Sequence, residues 1–208
     1  YSHQSLRPDC FEIICVDDSS TDGTREMLEA TQSVLPYRLL VLSTPQNSGP
    51  AVARNMGAAI AKFPILVFTG ADCFPSRELL WQHYISHNRG WGFPLAVQGF
   101  TPWHWSIASD EFASFLFSSG LQSAWANLRD GDKWRREAKG WFLTTNCSVS
   151  KALFEAEGGF NTEFPSAAWE DIEFCTRALV KRNVLTVFSP QAFNYHYHKQ
   201  TLEGFAHR

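Results

Sequence analysis

Residues 11–18, Phe11-Glu12-Ile13-Ile14-Cys15-Val16-Asp17-Asp18, set a short apolar run against an abrupt pair of carboxylates. The hydroxyl-rich turn residues Ser19-Ser20-Thr21-Asp22-Gly23-Thr24 follow, and the chain is helix-like from there to about Thr31. The pattern reads as strand, loop, helix. The unit recurs. Arg38 to Ser43 is a second strand candidate, Asn47-Ser48-Gly49-Pro50 breaks the chain, and Ala51 to Ala61 is alanine-rich and helical. Pro64 to Thr69 is a third strand candidate, ending at Gly70-Ala71-Asp72, with a helix expected after Pro75. Apolar strands alternating with helices predict an α/β domain with a mixed, mainly parallel sheet flanked by helices. In such sheets ligands gather beyond the carboxyl ends of the strands, where Asp17, Asp18 and Asp72 all fall.

The second half continues the pattern less regularly. Leu95 to Phe100 is a fourth strand candidate, and residues 101–141 hold Trp103, Trp105, Trp125, Trp134 and Trp141, with a helical stretch from Asp110 to Arg136. Thr144 to Val149 and Leu185 to Phe188 supply further strands, separated by a Gly158-Gly159 turn and a helix around Asp171 to Lys181.

Composition sets the outer limits. A chain of 208 residues with 44% hydrophobic and 19% charged residues can bury one ordinary core, so a single domain is expected over 1–208. A net charge of -3 with acids and bases interspersed offers no basic stripe for a nucleic-acid backbone, and no nucleic-acid partner is expected. Five scattered cysteines without a Cys-x-x-Cys pair fit a reducing, cytoplasmic setting, including the inner face of a membrane. No apolar run reaches the roughly 20 residues that span a bilayer. Tyr1 opens neither a signal peptide nor a natural start, so the chain reads as a piece of a longer protein.

Several acid-bearing stretches carry chemistry. One carboxylate of the Asp17-Asp18 pair can cap the following helix while the other is solvated, or a carboxylate at this strand end can accept the imide N–H of a uracil-like base, Asp18 before Asp17. Arg54, in the first turns of a helix, can form charge-assisted contacts to phosphate. Asp72, just past a buried strand, either caps the helix that follows or holds a divalent cation, since hard oxygen ligands suit magnesium and manganese. His196 and His198 alternate as in a strand, which would point both to one face and let them complete a manganese shell. In Trp169-Glu170-Asp171-Ile172-Glu173, three acids stand at a helix start, where the helix dipole favours them and where one could serve as a general base. Glu173 reads as the dipole-favoured residue.

Taken in order, Val16 to Thr24, Asn47 to Gly57, Phe68 to Pro75, Gly158 to Phe174 and His196 to Phe205 resemble glycosyltransferase family 2, the inverting enzymes with a GT-A fold. That resemblance implies a nucleotide-sugar donor, commonly a uridine diphosphate sugar, and a glycan or lipid-linked acceptor hydroxyl, as in the synthesis of polysaccharides, glycolipids and cell-surface glycans. It implies that residues 1–100 bind the nucleotide and 101–208 carry the acceptor side and the base. By position it makes Asp171 the catalytic base, with Glu170 and Trp169 at the acceptor. Asp17, Asp18, Asn47 and Arg54 would line the nucleotide pocket. Asp72, with His196 or His198, would hold Mg2+ or Mn2+.

Two positions depart from the family pattern. Gly70 stands where the first acid of the D-x-D motif is usual, and the polar residues 1–10 do not supply the apolar opening strand, so the first strand of the sheet is expected to be missing. These departures motivate a rival reading as a nucleotide-sugar-binding protein that has lost catalysis. A sugar nucleotidyltransferase would show a glycine-rich basic loop after its first strand, and none is visible.

Overall fold

The computed structural model describes residues 1–90, 92, 94–119, 142–164, 169–199 and 201–203. Its elements, in chain order, are β1 (Glu12–Asp17), α1 (Thr24–Thr31), β2 (Arg38–Ser43), α2 (Pro50–Ile60), β3 (Ile65–Thr69), β4 (Cys73–Pro75) and α3 (Leu79–His87). β5 (Leu95–Phe100), α4 (Glu111–Ser119), β6 (Asn146–Ser150), α5 (Lys151–Ala156), α6 (Glu170–Arg182) and β7 (Leu185–His196) complete it. Trp125, Trp134, Trp141 and the later part of the helix expected from Asp110 lie outside the described residues.

Local chemistry explains the boundaries. α2 opens with Pro50, whose fixed φ suits the first helical position, after Gly49 at φ 85. α5 starts where the Ser150 hydroxyl accepts the Leu153 amide. α6 places Glu170, Asp171 and Glu173 in its first turn and Lys181 and Arg182 in its last, matching the helix dipole, and ends on left-handed Asn183.

The strands form two sheets. β1 and β2 pair in parallel, and a five-stranded sheet runs in the order β3-β6-β5-β7-β4. The sheet is mixed as expected, with β5–β7 also parallel, but β3–β6, β5–β6 and β4–β7 are antiparallel. The antiparallel pairs arise because β6 re-enters between β3 and β5, and because β4 is a three-residue edge strand laid along the long β7. Among the described residues no strand precedes β1, and no ladder joins β1 to β3. Residues 1–10 instead dock on the start of α3: the Gln4 side chain donates to the Ser76 carbonyl at 2.7 Å and accepts from the Leu80 amide at 3.1 Å.

The core lies between the β3–β6 edge and α6. Phe68, Phe142, Phe154, Phe160 and Phe174 are all buried, with edge-on or tilted ring contacts such as Phe154–Phe160 at 5.0 Å and Phe160–Phe174 at 5.3 Å. Such aromatic packing is close to rigid, so it fixes where the N-terminus of α6, with its acids, meets the sheet.

Candidate active site

Four groups of side chains meet at or near strand ends. The first is the carboxylate pair closing β1. Asp17 is buried and accepts weakly from the Ser20 amide, at 3.3 Å to each oxygen. Asp18 reaches across to β2 and the start of α2. It accepts from the Thr44 hydroxyl at 2.6 Å, the Ser48 amide at 2.9 Å and the Gly49 amide at 2.8 Å. Desolvation acts to raise the Asp18 pKa, but these three donors outweigh it and hold the carboxyl below its ordinary range. Asp18 thus ties the turn ahead of α2 to the end of β1, whereas α1, the following helix that one of this pair was expected to cap, opens at Gly23 with no side-chain cap. Asn47 stands exposed in the same loop.

The second group is Asp72, His196 and His198, whose donor atoms all lie within 4.8 Å of one another. Asp72 Oδ2 is 3.2 Å from His196 Nε2 and 3.4 Å from His198 Nδ1. The two imidazoles share a face, as the strand-like alternation predicted, stacked at 5.7 Å, and Trp103 lies parallel to His196 at 5.2 Å. The carboxylate oxygen suits a hard divalent cation such as Mn2+, and the two neutral imidazole nitrogens can complete its shell. Gly70 has a role here. A side chain at position 70 would place its Cβ 2.6 Å from Asp72 Oδ1, so glycine vacates the space into which the Asp72 carboxylate folds. Desolvation acts to raise the Asp72 pKa, but the hydrogen bond and charge of His196, a backbone hydrogen bond and the charge of His198 together outweigh it and hold the carboxyl below its ordinary range.

The third group is Arg54 and Glu170. Glu170 is buried, and its Oε1 lies 2.5 Å from Arg54 Nη1. Its Oε2 is also buried and has no hydrogen-bond partner among the described residues. The residue expected at the acceptor is therefore the buried counter-ion of the residue expected at the phosphates. Arg54 retains further N–H donors on its guanidinium, because the pair engages it through Nη1. Its neighbour Asn55 is another brace from α2, accepting the Phe160 amide at 2.9 Å and donating to the Phe160 carbonyl at 2.8 Å.

The fourth group is Asp171 with Thr144. Asp171 Oδ2 accepts from the Thr144 amide at 3.0 Å and the Thr144 hydroxyl at 3.2 Å, while Oδ1 accepts from the Ile172 amide at 2.8 Å. Trp169, just before, sits at φ 76, a backbone conformation uncommon outside glycine, with its ring exposed. With Phe164 and Val180 it lines a cavity of about 470 Å³ along α6.

Thr144, Asn146 and Asn194 were given no role from the sequence, although the three consecutive polar residues Thr144-Thr145-Asn146 opening a strand candidate were a visible signal. Asn194, fully buried in β7, donates to the Thr145 carbonyl at 2.7 Å and to the Thr69 hydroxyl at 3.2 Å. It thereby links the segment holding Asp171 to the strand bearing His196.

The mixed sheet and its flanking helices have the GT-A class of fold. The model of the glycosyl transferase family 2 matches residues 3–92 of the chain. It is 28% identical over 203 residues to the validoxylamine A glucosyltransferase of Streptomyces hygroscopicus subsp. limoneus, covering 83% of this chain and 42% of that protein. It is 40% identical over 62 residues to a putative teichuronic acid biosynthesis glycosyltransferase of Bacillus subtilis, covering 30% of this chain and 24% of that one. The chain thus spans less than half the length of these relatives. Among solved structures, a mannosyltransferase of Pyrobaculum calidifontis in complex with GDP-Man and Mn2+ superposes with a TM-score of 0.69 at 20% identity, covering 96% of this chain and 51% of that one. S. aureus TarS in complex with UDP-GlcNAc gives 0.68 at 20% identity, covering 99% and 54%. No helix among the described residues is long and apolar enough to cross a membrane.

Proposed function

We propose that the chain transfers a sugar from a nucleoside diphosphate sugar to an acceptor hydroxyl with inversion at the anomeric carbon, and that Asp171 is the catalytic base. The observation that carries this reading is the Asp171 carboxylate held by both donors of Thr144, on a segment linked through Asn194 to the strand that presents His196. Asp171 removes the proton from the acceptor hydroxyl. The oxygen bonds to the anomeric carbon from the face opposite the nucleotide, and the bond from that carbon to phosphate breaks with its electrons going to the departing diphosphate. Asp72, His196 and His198 would hold a divalent cation, Mg2+ or Mn2+, which supplies positive charge against the leaving diphosphate. The Asp17–Asp18 turn and Asn47 face the nucleoside, and Arg54 offers its remaining donors to phosphate. Relatives named as a glucosyltransferase and as a putative teichuronic acid biosynthesis glycosyltransferase, and solved neighbours in complex with GDP-Man or UDP-GlcNAc, support a nucleotide-sugar donor. A glycan or lipid-linked acceptor, with uridine diphosphate as the carrier, is the reading we favour.

The test is a panel of nucleotide sugars assayed for binding and slow hydrolysis with Mg2+, Mn2+ or chelator. Turnover with at least one donor that chelator suppresses is expected. Asp171→Asn should abolish transfer while nucleotide binding stays nearly intact. Binding without turnover for every donor would favour the rival reading of a binding protein.

A further inference from the structure

We infer that His83, in α3, is a positioning residue for the Asp72–His196–His198 cluster, acting through Asn146 on the register of β7. This rests on the metal-binding reading of that cluster given above.

His83 is fully buried, and both ring nitrogens are engaged: Nε2 lies 2.8 Å from Asn146 Oδ1 and Nδ1 lies 2.8 Å from Ser148 Oγ. The proton positions follow from the partners. Asn146 Nδ2 donates to the Phe100 carbonyl at 3.0 Å and the Ala192 carbonyl at 2.8 Å, so the other end of the amide is its oxygen and His83 Nε2 is the donor to it. Nδ1 then accepts from the Ser148 hydroxyl, and Ser148 Oγ accepts from His87 Nε2 at 2.9 Å. The chain His87, Ser148, His83, Asn146 runs in one direction and ends on two backbone carbonyls.

Those carbonyls flank an irregularity in the sheet. Gly99 of β5 pairs with Ser189 of β7, but the next residue, Phe100, pairs with Phe193, so Pro190, Gln191 and Ala192 are extra on the β7 side. Asn146 ties the last of these to Phe100. Gly99 makes room for the tie, since a Cβ there would lie 2.3 Å from the Ala192 carbonyl oxygen and 2.4 Å from Asn146 Nδ2. Beyond the bulge, β7 pairs with β4 with Asn194 opposite Pro75 and His196 opposite Cys73. A slip of one residue at the bulge would turn His196 and His198 to the other face of the ribbon, away from Asp72. The His83 chain therefore fixes which face of β7 carries imidazoles toward Asp72.

The test is a titration of the full chain with Mn2+ alone, following the free ion by electron paramagnetic resonance, with circular dichroism and thermal melts run alongside. His83→Leu removes the donor to Asn146 and should weaken Mn2+ binding at least about tenfold, in line with the effect of groups that orient metal ligands. Ser148→Ala, one hydrogen bond further back, should weaken it measurably but less than His83→Leu, and His83→Gln, which keeps a donor, should retain most of the affinity. Mn2+ affinity equal to wild type in folded His83→Leu would overturn the inference; should that variant fail to fold, equal affinity in Ser148→Ala would do so. His196→Ala is the control: if wild type binds no Mn2+, or if His196→Ala binds it as well as wild type, the metal reading itself falls and this inference with it.

Discussion

Thr144 grips Asp171 twice through one oxygen: its amide nitrogen and its hydroxyl lie 3.0 Å and 3.2 Å from Asp171 Oδ2. The two residues are far apart in sequence, one just ahead of β6 and the other in the first turn of α6. The grip fixes the carboxylate before any acceptor arrives. Thr144→Val keeps the amide and deletes the hydroxyl. A hydrogen bond to a charged group contributes about 1.5–3 kcal/mol, so kcat should fall by about 10–100-fold with the donor KM little changed, in steady-state assays.

Gly70 should tolerate no side chain at full metal affinity. In Gly70→Ala the added Cβ meets Asp72 Oδ1 and pushes the carboxylate from its place between the histidines. Mn2+ binding should weaken about tenfold on the scale set by disturbed ligand orientation, with the melting temperature nearly unchanged. Calorimetric titration with Mn2+ checks both the loss and its direction.

The Arg54–Glu170 pair should be more damaging to break than to replace. Arg54→Met leaves Glu170 buried without its counter-ion and should cost about 3–5 kcal/mol in urea unfolding. The double variant Arg54→Met with Glu170→Gln removes the uncompensated charge and should recover a large part of that loss. Equal stability of the single and double variants would show that the charge is not the cause.

Stability should fall on mild acidification because of the buried histidines. Burial lowers the pKa of both His83 and His87 from 6.5 to about 4. The unfolded chain therefore binds more protons between those values, so the stabilisation is complete above about pH 6.5 and is lost as pH falls toward 4. Linkage gives a loss of about 2 kcal/mol per histidine between pH 7 and pH 5. Asp18 and Asp72, with lowered pKa values, contribute stability that is lost only at lower pH, as they take up protons in the fold. Urea midpoints at pH 7 and pH 5 in wild type and His83→Leu measure the histidine share, which should be smaller in the variant.

Much of the fold was readable because its signals are local. The apolar runs ending at Asp17, Ser43, Thr69 and Phe100 and the breaks at Gly49-Pro50 placed β1, β2, β3, β5 and α2 within a residue or so, since periodicity and turn chemistry act over a few residues. The alternation around His196 also told correctly that both imidazoles share a face. Short β4 and α5 went unread, because three to six residues carry too little pattern to rise above their surroundings.

What the sequence by itself determined is the order of strands and helices and the residue types at the strand ends, down to Asp171 at the head of a helix. What only the tertiary structure decided is which of those groups meet. Asp18 turned to the Thr44 hydroxyl and the Ser48 and Gly49 amides ahead of α2, Arg54 to Glu170, and Asp171 to Thr144, each across more than 25 positions of chain. Those choices depend on how distant elements pack against one another, and long-range contacts of that kind leave no periodic mark in the sequence.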